Sequence, residues 1–169
     1  NPLYANVEVS IDVNSAIGGF AADENIYKYT SSLLAGDVTL TSGNTTLIGN
    51  STLFSGSLSN NDIVLISDGT NNLVTNVVTI ASNSSLTLST TPGFSNTGCT
   101  ISVIKNREMF GTLISNSYGI INVSNVNPLS LLSTTKLYGE ESYATAELDS
   151  AVSQPLVIRP LGRPANNFY

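Results

Sequence analysis

The chain has 169 residues, of which 41% are hydrophobic and only 11% are charged. Because about 25% is usual for charged residues, serine, threonine and asparagine must supply much of the polarity here, a composition unlike that of a typical cytosolic enzyme. Twelve acidic residues against six basic ones give a net charge of −6, which argues against a nucleic-acid surface, since phosphate binding needs clustered lysine and arginine.

The N-terminal part of the chain predicts two strands. Residues 3–13 contain valine or isoleucine at every second position from Val7 onward, the clearest period of two in the sequence. Glycine and small residues at 16–19 predict a turn or bulge. A second strand is predicted at 25–29, and residues 30–36 lead into the next region.

Residues 37–105 consist of short apolar or alternating runs, which predict five or six strands and no helix. The run at 62–66 is apolar throughout, as is typical of a strand covered on both faces. Turn residues separate the runs at 42–44, 59–61, 68–72, 82–84 and 92–93. The region therefore predicts one small β-barrel.

After residue 105 a new β-pattern begins. It predicts strands at 109–115 and 118–126 with a turn at 116–117, and residues 128–135 favour one helical turn. Residues 143–148 predict a short strand, although the alanine and glutamate content of 137–148 would also suit a helix.

The last twenty residues, 150–169, contain three prolines, at Pro155, Pro160 and Pro164. This spacing excludes a helix and a central strand, and it predicts an extended arm or linker. We expect Arg159 and Arg163 to pair with acidic neighbours and the final two residues to anchor on an adjacent chain. The candidate assembly contacts are Pro155, Arg159, Pro160, Arg163, Phe168 and Tyr169.

These elements predict an all-β fold made of two small antiparallel β-barrel or sandwich modules, one inserted in the other, with an extended C-terminal arm. The flanks, 3–34 and 106–149, are each too small to bury a core, but together they would form one module. The second module is 37–105, and 150–169 is the arm. Because the chain starts at Asn1 rather than methionine, we expect it to be processed or to be a segment of something longer.

The inserted stretch resembles a small β-barrel module of virion proteins in tailed bacteriophages. The similarity lies in four short motifs, at 38–41, 49–54, 58–63 and 85–88. Asn61 stands where this module usually has glycine, and asparagine is tolerated there because it also enters the left-handed region.

The flanks resemble a second phage module, built on an F-x-x-G-E-x-V/I motif and a later G-x-S-G-A-T-A-x-V motif. Residues 20–26 match the first with Asp23 in place of glycine, and residues 139–148 match the second with Tyr143 in place of glycine. Residues 111–114 and 119–123 fit the hairpin between them. The resemblance covers about residues 7–149 and implies a structural part of a contractile-tailed virion of the cyanophage type.

The residue types that usually carry catalysis or bind metal are few in this sequence. With no histidine, Ser-His-Asp and Cys-His devices are excluded. The neighbouring carboxylates at 23–24 and 140–141 would point to opposite faces of a strand, and we interpret them as solvated turn charges. Residues 68–72 offer oxygens for Ca²⁺ but favour a hairpin turn. Cys99, being alone, is interpreted as a small apolar strand residue.

We therefore predict a structural component of a tailed-phage virion, located in the virion, in its neck, tail, baseplate or fibre attachment. Its partners would be other virion proteins and copies of itself in a homo-oligomer, with no nucleic acid and no membrane. No enzymatic activity, cofactor or metal is expected. The alternative is a secreted or surface module of adhesin type that recognises a glycan or receptor.

Overall fold

The computed structural model describes residues 7–117, 119–124, 134–149 and 158–160. They form twelve β-strands and one helix of four residues, so the prediction of an all-β fold is confirmed. In chain order the elements are β1 (Val7–Ile17), β2 (Asn25–Leu33), β3 (Asp37–Leu40), β4 (Thr46–Asn50), α1 (Phe54–Ser57), β5 (Ile63–Ser67), β6 (Asn72–Ser82), β7 (Ser85–Leu88), β8 (Asn96–Ser117), β9 (Ile120–Ser124), β10 (Lys136–Gly139), β11 (Thr145–Leu148) and β12 (Ile158–Pro160).

The chain divides into two compact units. Unit 1 consists of Asn1–Lys28 and Glu108–Tyr169, and unit 2 is the continuous stretch Tyr29–Arg107. The chain passes from one unit to the other within β2 and again within β8. Unit 1 is therefore built from two stretches of chain that are far apart in sequence.

In unit 1 the strand pairings form a closed cycle. β1 pairs with β11, β11 with β10, β10 with β2, β2 with β8, β8 with β9, and β9 again with β1. β12 pairs with the start of β1. A bulge interrupts the pairing of β1 with β11 between Asn14 and Ile17, where Ser15 has a φ of 51°. Because the bulge absorbs an extra residue, β1 continues to Ile17, four residues beyond its predicted end at Val13.

In unit 2 the pairings also form a closed cycle, and all of them are antiparallel. β8 pairs with β3, β3 with β4, β4 with β7, β7 with β6, β6 with β5, and β5 with β8. The six strands agree with the five or six predicted for residues 37–105. The predicted turns lie between strands, as at 68–71 between β5 and β6.

Each unit buries the apolar residues of its alternating strands. In unit 1 the core cluster is Ile26, Phe110, Leu113, Ile121, Val123, Leu137 and Leu148. In unit 2 the fully buried residues include Val38, Leu40, Leu47, Phe54, Val64, Ile66, Val77, Leu86, Leu88, Cys99 and Ile101. The unit 2 set confirms the period-two predictions at 38–40 and 86–88, because the threonines between the buried residues are half-buried.

Three local predictions are corrected. β5 is fully buried only at Val64 and Ile66, and its other face is half-buried, so it is not covered equally on both sides. Residues 54–57 form a helical turn because Leu58 N–H returns to the Phe54 carbonyl, a period too short to detect in sequence. β8 is one continuous strand through residue 105, with Asn106 at a φ of 50°, and it runs on to Ser117, so the predicted turn at 116–117 lies within the strand.

β11 shows that residues 145–148 are a strand, which settles the choice left open between strand and helix. The predicted helical turn at 128–135 lies outside the described residues except for its last two positions.

Candidate functional site

The most completely built polar cluster in unit 1 surrounds Glu24, a carboxylate only 1% exposed. Its Oε2 accepts hydrogen bonds from the backbone N–H groups of Glu141 and Ser142, both at 2.9 Å. Its Oε1 accepts from Ala21 N–H at 2.8 Å and from the Ser142 hydroxyl at 2.7 Å. One buried side chain thus joins a turn at 21–24 to a turn at 139–144.

Local backbone conformation brings these groups together. Asp23 has a φ of 65° and Tyr143 a φ of 58°, so each turn contains a non-glycine residue in the left-handed region. Gly139 lies directly against the carboxylate, where a Cβ would collide with both oxygens of Glu24. The backbone can approach the carboxylate this closely only because residue 139 lacks a side chain.

This cluster corrects the interpretation of the paired carboxylates as solvated turn charges. The prediction was wrong for Glu24, which is buried, while Asp23, Glu140 and Glu141 are exposed as expected. Burying a carboxylate costs a great deal of free energy unless donors satisfy it, and the turn that satisfies Glu24 lies more than a hundred residues away in sequence. The glycine and serine of 139–142 were the sequence signal for such a turn.

Unit 2 holds a second carboxylate-centred cluster, in the turn between β5 and β6. Asp68 Oδ1 accepts hydrogen bonds from Thr70 N–H and Asn71 N–H, at 2.9 and 2.6 Å. Its Oδ2 accepts from the side-chain amides of Asn71 and Asn96, both at 3.1 Å. The Asn71 and Thr70 backbone N–H groups, together with these amides, hold the pKa of Asp68 well below its usual value. The predicted hairpin turn is therefore present, and both carboxylate oxygens are engaged within unit 2.

A third cluster fixes the segment between β4 and β5. The Asn83 carbonyl accepts hydrogen bonds from the Thr52 hydroxyl at 2.6 Å and from Phe54 N–H at 3.2 Å. The Asn83 side chain accepts from Ser55 N–H at 3.1 Å. A Cβ on Gly49 would collide with Thr52 and with the Phe54 ring, so the glycine leaves room for this packing. The segment 49–54 thus holds a loop and a core aromatic ring in place.

Cys99 lies in β8 and is fully buried, which confirms its interpretation as a small apolar strand residue. Burial, together with the nearby charges of Asp68 and Asp37, raises the pKa of its thiol. The thiol is therefore protonated and shielded at neutral pH, a state that does not support nucleophilic chemistry.

A shallow groove of about 230 Å³ is present on unit 1. Asn116 is held at its edge by donating from its side-chain amide to the Phe20 carbonyl at 3.0 Å. Glycine, apolar residues and this one amide line it: Val13, Ala16, Gly18, Gly19, Phe20, Asn116, Gly119, Ile120 and Ile121. Because no titratable side chain lines the groove, its chemistry is limited to apolar contact and hydrogen bonding.

The candidate assembly contacts are only partly described. Arg159 and Pro160 lie in β12, where their backbones pair with Glu8 and Val7 of β1. Pro155, Arg163, Phe168 and Tyr169 lie outside the described residues. Sequence reasoning gave no indication that part of 150–169 pairs as a strand.

Across the described ranges, no three His, Cys, Asp or Glu side chains are grouped so that they could hold a metal ion. Within the same ranges, no helix has the length and apolar character needed to cross a membrane. Comparison of the chain with protein-family models, with curated proteins and with solved structures found no match. Inference about function therefore rests on the polar clusters, the strand pairings and the sequence.

Proposed function

We propose that this chain is a structural component of a tailed-phage virion, acting through protein–protein assembly in the neck, tail, baseplate or fibre attachment. In this proposal each unit is a small antiparallel β-barrel, with the module at 37–105 inserted in the one formed by 3–34 and 106–149. The closed cycle of strand pairings in each unit supports this, because every strand of the cycle has a partner on each side along part of its length.

The observation that supports the proposal most directly is the Glu24 cluster. In the phage-like pattern, Glu24 belongs to the motif at 20–26, and its donors belong to the motif at 139–148. Hydrogen bonds of 2.7 to 2.9 Å join these two motifs, which are separated by more than a hundred residues in sequence. Their direct contact is expected if both belong to one module.

The three departures from the phage-like motifs give independent support. Asp23, Asn61 and Tyr143 each replace a glycine of the pattern, and their φ values are 65°, 74° and 58°. Glycine is the default residue for such left-handed conformations. The backbone thus keeps, at all three positions, the conformation that a glycine there would favour.

The mechanism in this proposal is mechanical and has no catalytic step. Hydrogen bonds to Glu24 in unit 1 and to Asp68 and Asn83 in unit 2 fix loops of the two units, so the units present loops of defined shape to neighbouring subunits. The segment 150–169 extends as an arm and adds contact area on an adjacent chain, with Arg159 and Arg163 pairing with acidic groups. Partners are other virion proteins and further copies of this chain.

Sedimentation equilibrium of the full chain tests the assembly part of the proposal. We expect a defined oligomer for the full chain, and dissociation to monomer when residues 150–169 are removed. A variant that ends after Pro160 keeps β12 and removes only the last nine residues, so its oligomeric state shows whether β12 or the residues after it carry the contact. A full chain that stays monomeric at all concentrations would contradict the proposal.

A second measurement addresses the location. An antibody to this chain, conjugated to gold, should label one defined position on purified phage particles viewed by electron microscopy. The absence of labelling, together with reproducible binding of the chain to a glycan array that a single loop substitution abolishes, would favour an adhesin-type module instead.

A further inference from the structure

β12 occupies a position on β1 that no other described strand fills. Its three residues pair antiparallel with Val7–Val9, with Glu8 opposite Arg159. β9 also pairs with Glu8 and Val9, so it must lie on the opposite edge of β1. β11 pairs only with residues from Val13 onward. Within the described residues, one edge of Val7–Val9 is therefore paired by β12 alone.

The connection that leads to β12 is longer than the gap that it crosses. β11 ends with Leu148 opposite Val13, and β12 begins with Ile158 opposite Val9, so both strands run in the same direction along β1. Four residues of β1 separate these two points, about 13 Å at the usual strand rise. Nine residues, 149–157, join them, and an extended chain of that length spans about 30 Å.

The pairing itself is short and depends on the backbone. A strand of three residues that ends in proline, which has no N–H, offers few hydrogen bonds to hold it in place. Any extended segment with the same register makes the same bonds, whether it comes from its own chain or from a neighbour. Exchange of such an element between identical chains is a low-cost route to a dimer, and the connection 149–157 is long enough to let β12 reach a neighbouring chain.

We propose that the edge of β1 at Val7–Val9 is an acceptor for β12 of a second copy of this chain, so that copies join by exchanging this strand. The inference rests on the proposed assembly function and specifies the contact that performs it. Exchange replaces each pairing within a chain by an identical pairing between chains. The ratio of exchanged to unexchanged chains depends on how the chain concentration compares with the effective concentration of β12 that the connection imposes.

A cysteine pair in register tests the exchange. Two full-length variants, Glu8→Cys and Arg159→Cys, are mixed, unfolded and refolded together, and oxidised. Residues opposite each other in antiparallel strands have Cα atoms about 4.5–5.5 Å apart, within the range of a disulfide. We expect a disulfide-linked dimer of the two variants on a non-reducing gel. Cys99 is buried and is present in every sample, so the amount of linked dimer formed by the wild-type chain measures the background from this cysteine.

The control moves one cysteine out of register. Ser10 pairs with Asn122 and not with β12, so Ser10→Cys replaces Glu8→Cys in the matched mixture. We expect at least about tenfold less linked dimer from this pair, because its Cα separation exceeds that of a relaxed disulfide. Equal cross-linking of both mixtures would overturn the inference, since it indicates random collision.

A third variant separates this inference from the proposed function. The third variant carries both Glu8→Cys and Arg159→Cys in one chain. If it forms a disulfide only within the chain, and the mixture of single variants gives no linked dimer, strand exchange is overturned. If the wild-type chain nevertheless sediments as an oligomer, the assembly function stands and another surface carries it. A wild-type monomer with no linked dimer contradicts both proposals.

Discussion

Glu24 in unit 1 and Asp68 in unit 2 each accept four hydrogen bonds, yet the two carboxylates perform different tasks. Three of the four donors to Asp68 lie within three residues of it, and the carboxylate is partly exposed. Three of the four donors to Glu24 come from residues 141–142, and the carboxylate is buried. Asp68 shapes one turn, whereas Glu24 holds together two stretches of unit 1.

The difference teaches that the number of hydrogen bonds does not determine what a carboxylate contributes. Water can replace the donors of an exposed group when they are lost, so the net gain from each bond is small. The Glu24 carboxylate is buried, so water has less access to its part-buried hydrogen bonds and each of them contributes more.

The largest effect is expected for Glu24→Ala. Removing the carboxylate leaves four donors without their acceptor, and we expect the free energy of unfolding to fall by about 3–4 kcal/mol, since each orphaned buried donor costs roughly 1 kcal/mol or more. Chemical denaturation followed by circular dichroism measures it. Glu141→Ala, at an exposed neighbouring carboxylate, is the control and should change stability little. A loss below about 1 kcal/mol for Glu24→Ala would show that water reaches the cluster.

Gly139→Ala should cost about 2 kcal/mol, because the added methyl group overlaps the Glu24 carboxylate. Gly19→Ala in the same unit is the matched control, since nothing lies within 4 Å of a Cβ there. The sharper measurement is a double-mutant cycle with Glu24→Ala, in which the cost of Gly139→Ala should shrink once the carboxylate is absent. Additive costs would mean that Gly139 is required for another reason.

Asp23→Gly is expected to stabilise unit 1 by about 0.5 kcal/mol. Glycine adopts a φ of 65° without strain, although part of this gain is lost to the greater freedom of glycine in the unfolded chain. Asp23→Ala is the informative comparison, since it keeps the strain and should not stabilise. Thermal unfolding of wild type, Asp23→Gly and Asp23→Ala ranks their stabilities. A Gly variant less stable than wild type would indicate that the Asp23 side chain itself stabilises the fold.

The smallest effect is expected at Asp68, and it depends on pH. Its pKa is lower in the folded state than in the unfolded state, so the carboxylate stabilises the fold above the unfolded value of about 4, and this contribution is lost as pH falls below it. Asp68→Asn should therefore be slightly less stable than wild type at pH 7, with a difference that narrows between about pH 5 and pH 2. Urea denaturation at several pH values tests this, and a constant difference would exclude ionisation as its cause.

Much of the fold was predictable because strands carry their own period. Val38 and Leu40, or Leu86 and Leu88, alternate with polar residues and are buried as that alternation requires. The Asp68 turn was equally accessible, since its donors are adjacent in sequence. Asn61 was expected to tolerate the left-handed region, and its φ is 74°; the positive φ values of Asp23 and Tyr143 were not predicted.

What could not be predicted depends on contacts between distant residues. The sequence around Glu24 resembles that of any exposed turn, and only the fold shows that residues 141–142 supply its donors. The pairing of β12 is similar, because three residues ending in proline carry no detectable period. The domain boundaries at 34–37 and 105–106, like the assembly contacts, stay predictions.

The hydrogen bonds of Glu24 also set an order for folding during synthesis. Ser142 is synthesised 118 residues after Glu24, which takes about 6–24 s at ordinary translation rates, and the hydrogen bonds between them cannot form before then. Unit 2 is continuous and is complete once residue 107 has left the ribosome. A nascent chain therefore has one finished unit while the N-terminal stretch of the other still lacks its partners, and during that interval the strand β1 is available to chaperones and to neighbouring chains alike.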